Sequence, residues 1–151
     1  MIDLYEFSAD REGELNRALE ALHFAFRAVV AKPDARLAEW GLTRIHHRIL
    51  YFVGHCPEGS VNDLLGILGI SKQYLNRPLR QLQEQQLVRA EPDPRDKRIK
   101  RLRLTEQGRA LERELSGEQR RCFAAVFTEA GSDAEAAWRQ VMTLLADSCF
   151  D

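Results

Sequence analysis

The sequence predicts a mainly α-helical fold with a small β-hairpin wing, a winged helix-turn-helix that carries further helices at both chain ends. Three observations predict it. Apolar residues recur at helical spacing through most of the 151 residues, two short helical segments meet at a tight turn near Gly69, and a basic segment with two prolines lies between two strand-like runs. The apolar fraction of 44% supplies a core without metals or disulfides.

Two helices are expected before the tight turn. The first covers residues 12–30 and ends before Pro33, because proline disfavours a helix interior. Its apolar side is formed by Leu15, Leu19, Leu22, Phe26 and Val29. Thr43 is placed to cap a second, buried helix, which ends at the turn-forming residues 57–59.

The helix-turn-helix is predicted from its capping residues. Ser60 and Asp63 resemble a capping box at the start of a short helix, and Gly69 ends that helix because glycine readily adopts the left-handed backbone of a helix end. Ser71 then caps the next helix after a very short connection, as is typical of helix-turn-helix units. The inward side of that helix is formed by Leu75, Leu79 and Leu82.

A hairpin and two more helices complete the predicted fold. Residues 87–91 and 99–104 are strand-like and flank residues 92–97, whose prolines exclude a helix and predict a charged hairpin tip. Thr105 is expected to cap a long helix that ends at Gly131, and Ser132 with Glu135 to form a capping box for the last helix. The apolar side of the last helix is formed by Trp138, Val141, Leu145 and Phe150.

Charge is distributed unevenly along the chain. The formal net charge of −1 argues at first against a nucleic-acid partner, since phosphate neutralisation supplies most non-specific affinity for DNA. Residues 71–113, however, hold 12 Lys or Arg against 6 Asp or Glu, while the remaining residues hold 10 against 17. This segregation favours one basic face for nucleic acid on an otherwise acidic surface.

The basic segment offers two sets of candidate DNA contacts. The helix capped by Ser71 carries, opposite its leucines, side chains that can bond base edges or phosphate. These are Lys72, Gln73, Asn76, Arg77 and Arg80. The hairpin tip and its flanks carry cations whose mutual repulsion serves no evident purpose in the fold, so an anionic partner is expected. They are Arg95, Lys97, Arg98, Lys100, Arg101 and Arg103. Asp96 is placed to pair with Arg98 and aim it at a minor groove.

A resemblance to the MarR (multiple antibiotic resistance regulator) family covers the run LLGILGISKQYLNRPLRQLQEQQLVRAEPDPRDKRIKRLRLTEQG, including DPRDKR and LTEQG, and the upstream GLTRIHHRIL. It implies that the helix after Ser71 enters the major groove, that Asp96 and Arg98 form a wing-tip pair, and that the first and last helices build a homodimer. The implied function is a transcriptional regulator, more often a repressor, on a pseudo-palindromic operator in double-stranded DNA.

The chain departs from the family pattern at three positions. Pro78 lies inside the predicted recognition helix, where it removes the hydrogen bond to the Tyr74 carbonyl and predicts a kink. His46 stands where the family often has Gln, and His47 where an aromatic residue is common.

Apolar side chains in the terminal helices exceed what a small winged core can cover, which predicts a two-fold dimer. The aromatic ones are Phe24, Phe26, Phe123, Phe127, Trp138 and Phe150. Residues 1–40 and 105–151 are expected to form a helical dimerisation region, intertwined in one domain with a winged helix-turn-helix DNA-binding region at residues 41–104. The two recognition helices of such a dimer lie about 34 Å apart, one turn of duplex.

The resemblance also implies a small aromatic or phenolic effector. Trp40, His46 and His47 lie near the expected pocket, although a histidine on an apolar helix is more often structural. Cys56, next to a turn, leaves a thiol-based redox sensor open as an alternative. Cys122 falls in an apolar stripe and is interpreted as a packing residue.

Other classes of protein are disfavoured. No apolar run approaches the roughly 20 residues of a membrane span, so a cytoplasmic protein is expected. Cys56, Cys122 and Cys149 are widely spaced, and His55 diverges from Cys56 on a helix, so neither a disulfide framework, a metal site nor a cofactor is expected. A phosphate-binding glycine loop, a nucleophile elbow and HExxH are all lacking, which disfavours an enzyme. A protein-interaction module without specific DNA binding stays the alternative from another class.

Overall fold

The computed structural model describes residues 8–148 and contains, within them, six α-helices and one two-stranded antiparallel sheet. The predicted mainly α-helical fold with a β-hairpin is confirmed. Phe150 and Cys149 lie outside the described residues. In chain order the elements are α1 (Ala9–Ala38), α2 (Arg44–His55), α3 (Val61–Leu68), α4 (Lys72–Glu84), β1 (Val88–Pro92), β2 (Lys100–Leu104), α5 (Glu106–Ala130) and α6 (Ser132–Ser148).

Helix α1 does not end before Pro33, and that prediction is wrong. The helix begins after Ser8 and continues to Ala38 with Pro33 buried inside it. Proline has no N–H, so the carbonyl of Val29, four residues earlier, loses its helical partner. The side-chain amide of Gln119 in α5 donates to that carbonyl over 3.3 Å. A residue distant in sequence thus satisfies the group that the proline leaves free.

The predicted caps of α3, α4 and α5 are confirmed. Ser60 accepts from the Asp63 N–H, and Asp63 accepts in return from the Ser60 N–H. Gly69 ends α3 in the left-handed region at a φ of 64°. The hydroxyl of Ser71 accepts from the Tyr74 N–H over 3.1 Å, and that of Thr105 accepts from the Gly108 N–H over 3.0 Å.

The last helix begins differently from the prediction. Ser132 is already its first helical residue, and the Glu135 N–H donates to the carbonyl of Gly131 over 3.1 Å. The carboxylate of Glu135 pairs with Arg139 over 2.7 Å and takes no part in a capping box. Gly131, at a φ of 97°, also donates to the Phe127 carbonyl, so this one residue ends α5 and starts α6.

The core lies where α1 ends, between α2, α4, the hairpin and the first half of α5. Side chains of the hairpin point inward at Val88, Leu102 and Leu104. The Leu102 N–H donates to the Gly59 carbonyl, which fixes β2 to the segment before α3. The largest fully buried side chains are Leu37, Ile49, Leu50, Leu75, Leu82, Leu87, Leu102 and Leu115.

The terminal helices extend away from this core. Helix α6 has no buried residue, and α1 buries none before Val30. Several large apolar side chains are exposed there, namely Leu19, Leu22, Phe24, Phe26, Trp138, Val141, Leu144 and Leu145. No helix within residues 8–148 combines the length and the apolar character that crossing a membrane requires.

Candidate nucleic-acid interface

Helix α4 separates its buried and exposed sides sharply. Leu75, Leu79 and Leu82 are buried against the core, which fixes the opposite side towards solvent. That exposed side, the polar face of α4, carries Lys72, Gln73, Asn76, Arg77 and Arg80. Residues 73, 76, 77 and 80 are spaced three or four apart and therefore share one helical face. Amides and guanidinium groups on one face of an exposed helix are suited to bidentate hydrogen bonds with base edges.

Two features flank the polar face of α4. Pro78 is buried, and α4 runs without interruption from Lys72 to Glu84 around it. Tyr74, in the first turn, has 59% of its surface exposed. This aromatic ring is not among the DNA contacts predicted from the sequence. Its position could have indicated exposure, because Tyr74 follows the capping Ser71 closely and does not share the spacing of the buried leucines.

The tip of the hairpin is ordered by Asp93 and Asp96. Asp93 accepts from the backbone N–H groups of Arg95 and Asp96 over 2.8 and 3.0 Å. The guanidinium of Arg98 donates twice to the Asp96 carboxylate, from Nε to Oδ1 and from Nη2 to Oδ2, each over 3.0 Å. Hydrogen bonds from Arg98 lower the pKa of Asp96, and hydrogen bonds from Arg101 and the backbone lower that of Asp93. The structure thus brings Asp96 and Arg98 together as a fork.

The six cations of the hairpin do not share one role. The prediction that none of them contributes to the fold is wrong. Arg101 donates to Asp93 over 2.9 Å and to the Glu58 carbonyl over 2.8 Å. Arg103 pairs with Glu58 over 3.1 Å and with Glu91 over 3.3 Å. Both side chains fasten the hairpin to the turn before α3. Glu58 was not predicted from the sequence, because its contact with Arg103 spans 45 positions of the chain.

The remaining cations face solvent. Arg95, Lys97 and Lys100 are exposed and have no ion pair within residues 8–148. Arg98 keeps 91% of its side chain exposed despite its bonds to Asp96. The three unpaired cations, together with the exposed pair of Arg98 and Asp96, give the tip and its flank a net positive charge, which favours binding of a polyanion.

A separate cleft lies between α1, α2 and α5. Its volume is about 210 Å³, and its lining includes Phe26, Val30, Arg44, His47, Tyr51 and Gln119. The Arg44 guanidinium lies 4.9 Å from the centre of the Phe26 ring. Arg44 is also paired with Asp34 over 2.7 Å, and Arg48 lines the cleft as well, so aromatic walls and two arginines lie together here.

His47 connects this cleft to a buried polar chain. Its Nε2 lies 3.1 Å from the Ser116 hydroxyl, which donates to the Glu112 carboxylate over 2.7 Å. Because Ser116 uses its one proton on Glu112, Nε2 of His47 must carry the hydrogen of this contact. Burial lowers the pKa of His47, and the carboxylates of Glu112 and Asp34 oppose that shift.

His46 and Trp40 lie elsewhere. His46 is buried with both ring nitrogens within hydrogen-bond distance of protein atoms, one at Thr43 and one at Gln81 of α4. Trp40 packs against the core, and its carbonyl accepts from Gln85 over 3.1 Å. Of the three residues predicted near an effector, the structure places His47 at the cleft and the other two away from its lining.

The cysteines give no sign of a shared site. Cys56 ends α2 and is half-buried, and Cys122 is exposed on α5 in the single chain. The interpretation of Cys122 as a packing residue therefore requires a partner that covers it. Within residues 8–148 no group of three potential metal ligands converges.

Comparisons with known proteins agree with this geometry. A model of the MarR family matches residues 40–99. The HTH-type transcriptional regulator PetP of Rhodobacter capsulatus is 42% identical over 134 residues, which are 89% of this chain and 81% of that protein. FabT of Streptococcus pneumoniae in complex with DNA has a TM-score of 0.78 at 16% identity, covering 88% of this chain and 95% of FabT. The S. aureus MepR–DNA complex has a TM-score of 0.68 at 18% identity, covering 95% and 99%.

The two solved structures establish likeness of fold, and the identity to PetP over most of both chains establishes kinship. The family model matches the helix-turn-helix, β1 and the hairpin tip, and its match ends just before β2. The chain belongs to the MarR family of DNA-binding transcriptional regulators.

Proposed function

We propose that this regulator acts in the cytoplasm as a homodimeric repressor that binds a pseudo-palindromic operator in double-stranded DNA. The observation that carries the proposal is the exposed polar face of α4, followed in the chain by a hairpin on which Arg95, Lys97 and Lys100 are exposed without an ion pair within residues 8–148. Residues 41–104 form the DNA-binding region. Repression, rather than activation, is the commoner behaviour of the family that the sequence resembles.

Each group has a distinct part in this proposal. Gln73 and Asn76 contact adenine edges in the major groove, and Arg77 and Arg80 contact guanine. Ser71 and Lys72, at the start of α4, hold a phosphate at the helix N-terminus. The wing tip enters the adjacent minor groove, where the negative potential favours arginine. Its contacts come from Arg95, Lys97 and Arg98.

The dimer is proposed from apolar surface that one chain leaves uncovered. Leu19, with 68% of its surface exposed, and Val141, with 60%, lie on the two terminal helices. Water contact over so many large apolar side chains is unfavourable, and a second copy buries them. Residues 1–40 and 105–151 form the dimerisation region. Recognition helices about one turn of duplex apart then read two half-sites.

An effector is proposed for the cleft between α1, α2 and α5. Aromatic walls with two arginines at the side, Arg44 paired with Asp34 and Arg48 without an ion pair within residues 8–148, suit a small aromatic or phenolic compound that carries a negative charge. The cleft lies between helices of both proposed regions, so a bound ligand can change their relative position.

Selection of duplexes from a random library with the purified protein tests the DNA part. We expect an inverted repeat whose half-sites are one helical turn apart, and a dimer by analytical ultracentrifugation at micromolar concentration. Binding of the recovered duplex should fall steeply with salt, with a slope of log K against log salt near −5 if about six phosphates are neutralised. Recovery of no preferred sequence, together with binding to an acidic protein column, would favour the protein-interaction alternative. A reporter gene behind the recovered operator separates repression from activation.

A further inference from the structure

His46 is a buried side chain with two hydrogen-bonded ring nitrogens. Only 4% of its surface is exposed. Its Nδ1 lies 2.9 Å from the backbone nitrogen of Thr43, the residue that caps α2. Its Nε2 lies 2.8 Å from Oε1 of Gln81, a half-buried residue of α4. The imidazole therefore joins the start of α2 to the middle of the helix that carries the polar face.

The partners determine which nitrogen of this ring carries the hydrogen. The Thr43 backbone group is a donor, so Nδ1 must present its lone pair. The ring hydrogen then lies on Nε2 and is donated to the Gln81 side chain. One neutral tautomer satisfies both contacts, whereas the other would place a hydrogen against the Thr43 N–H and leave no donor for Gln81.

The hydrogen bond between His46 and Gln81 can affect DNA binding because of where Gln81 lies on α4. Gln81 follows Arg80 directly and lies four residues after Arg77, so it flanks the polar face of α4. The buried leucines and Pro78 set which side of α4 faces the core, through packing contacts that have no preferred direction. A hydrogen bond has a preferred direction and therefore restricts rotation of the helix about its axis.

We propose that His46 is a positioning residue for DNA readout, which sets the rotation of α4 through Gln81 and so aims Asn76, Arg77 and Arg80 at the bases. This inference rests on the proposed function of α4. It assigns His46 no contact with DNA and none with an effector. Its loss should reduce discrimination between sequences and leave phosphate-driven, non-specific binding intact.

Substitutions by side chains of similar length distinguish a positioning role of His46 from a role in packing alone. His46→Met removes both hydrogen bonds but keeps an apolar side chain of similar length. His46→Gln keeps an acceptor for the Thr43 N–H, as in a Thr-x-x-Gln capping box, and a donor for Gln81. Gln81→Met removes only the α4 partner. The matched control is Gln83→Met, because Gln83 is also half-buried on α4 and its side chain makes no hydrogen bond within residues 8–148.

The main measurement is the specificity ratio, which is the dissociation constant for a scrambled duplex divided by that for the selected duplex. We expect His46→Met and Gln81→Met each to lower this ratio on the order of three- to tenfold, as expected for a lost buried hydrogen bond. Affinity for the scrambled duplex should stay within about twofold. The double variant should lose no more than the worse single one, because both remove the same bond. His46→Gln and Gln83→Met should keep the wild-type ratio.

A second measurement needs no DNA. Histidine ¹⁵N–¹H spectra of the free protein at neutral pH should show His46 as the Nε2–H tautomer, and Gln81→Met should change its signals while Gln83→Met does not. Unfolding curves identify a variant that fails to fold, and Gln81→Met then carries the test, since it leaves the cap of α2 in place.

The outcomes separate this inference from the function on which it rests. A wild-type protein that selects no duplex would overturn both. A wild-type protein that selects one, with Gln81→Met and His46→Met keeping its ratio, would overturn the positioning role alone. The Nδ1–H tautomer at His46 would also overturn it.

Discussion

Arg98 donates two parallel hydrogen bonds of 3.0 Å to the carboxylate of Asp96 while 91% of its side chain stays exposed. An exposed ion pair contributes little to stability. The pair instead restricts the Arg98 side chain before binding. Less conformational entropy is then lost when the guanidinium contacts DNA. Asp96 is itself held by Asp93, and Asp93 by Arg101, so the order of the tip extends back to β2.

Arg98→Ala should weaken binding to all duplexes by similar amounts, on the order of tenfold to a hundredfold for a lost charged hydrogen bond. Asp96→Asn keeps the arginine but weakens its fork, so a smaller loss is expected. Titrations with several duplexes measure both. The control is Arg89→Ala, which removes an exposed arginine paired with Glu91 from β1, away from the tip. Equal losses for Arg89 and Arg98 would contradict a specific role of the tip.

Asn76→Ala and Arg77→Ala should each erode preference at particular base pairs, because their bidentate contacts discriminate between bases. The expected cost is about 1–3 kcal/mol at the affected position. Lys72→Ala is the comparison and should lower affinity uniformly across sequences. Selection repeated with each variant gives the base preferences directly. Unchanged preferences for both variants would remove the polar face of α4 from base readout.

His47 should make stability fall as the solution becomes acidic. Burial lowers its folded-state pKa below the value of about 6.5 in the unfolded chain, so the unfolded chain binds more protons between the two values. The stability is fully present above pH 6.5 and is lost as pH falls through the folded-state pKa, with a slope of at most about 1.4 kcal/mol per pH unit.

Urea unfolding between pH 7.5 and 5 at fixed protein concentration measures this slope. His47→Gln keeps a donor for Ser116 and should flatten the curve in that window. His55→Gln replaces an exposed histidine at the end of the same helix and should leave the slope in place. A wild-type curve that rises towards pH 5 would contradict the assignment.

Gln119→Leu should destabilise the protein by about 1 kcal/mol, since it leaves the Val29 carbonyl without a donor. In a Pro33→Ala background the helix regains an N–H for that carbonyl, and the same change should then cost less. A double-mutant cycle compares the loss of unfolding free energy caused by Gln119→Leu in the two backgrounds. The difference between these two losses is the coupling energy of Gln119 and Pro33. A coupling of zero would mean that Gln119 does not compensate for the proline.

Gly108→Ala should destabilise the protein by about 1–3 kcal/mol or more, because a Cβ there would lie 1.9 Å from the Leu87 carbonyl oxygen. Gly66 is the matched control. It is also helical, and a Cβ there meets nothing within 4 Å. Gly66→Ala should therefore stabilise by up to about 1 kcal/mol. Thermal and urea unfolding of both variants test the contrast.

The local sequence was sufficient for most element boundaries. Helix caps join residues three apart, so Ser60 with Asp63, Ser71 and Thr105 are readable without any knowledge of the rest of the chain. Periodic leucines likewise identify the buried side of α4, and with it the polar face. Apart from the capping box of Ser132 and Glu135, which did not form, the predictions failed where the decisive partner is remote. Pro33 is accommodated by Gln119, 90 positions from the Val29 carbonyl that it satisfies.

The same division holds for the candidate site. The sequence by itself determined which cations and amides the basic segment presents, because composition and spacing are local properties. Only the tertiary structure decided that Arg101 and Arg103 fasten the hairpin while Arg98 remains exposed, and that His46 contacts Gln81, 35 positions away, whereas His47 reaches the cleft. Two adjacent side chains on a helix point in different directions, and the elements packed around that helix determine what each one contacts.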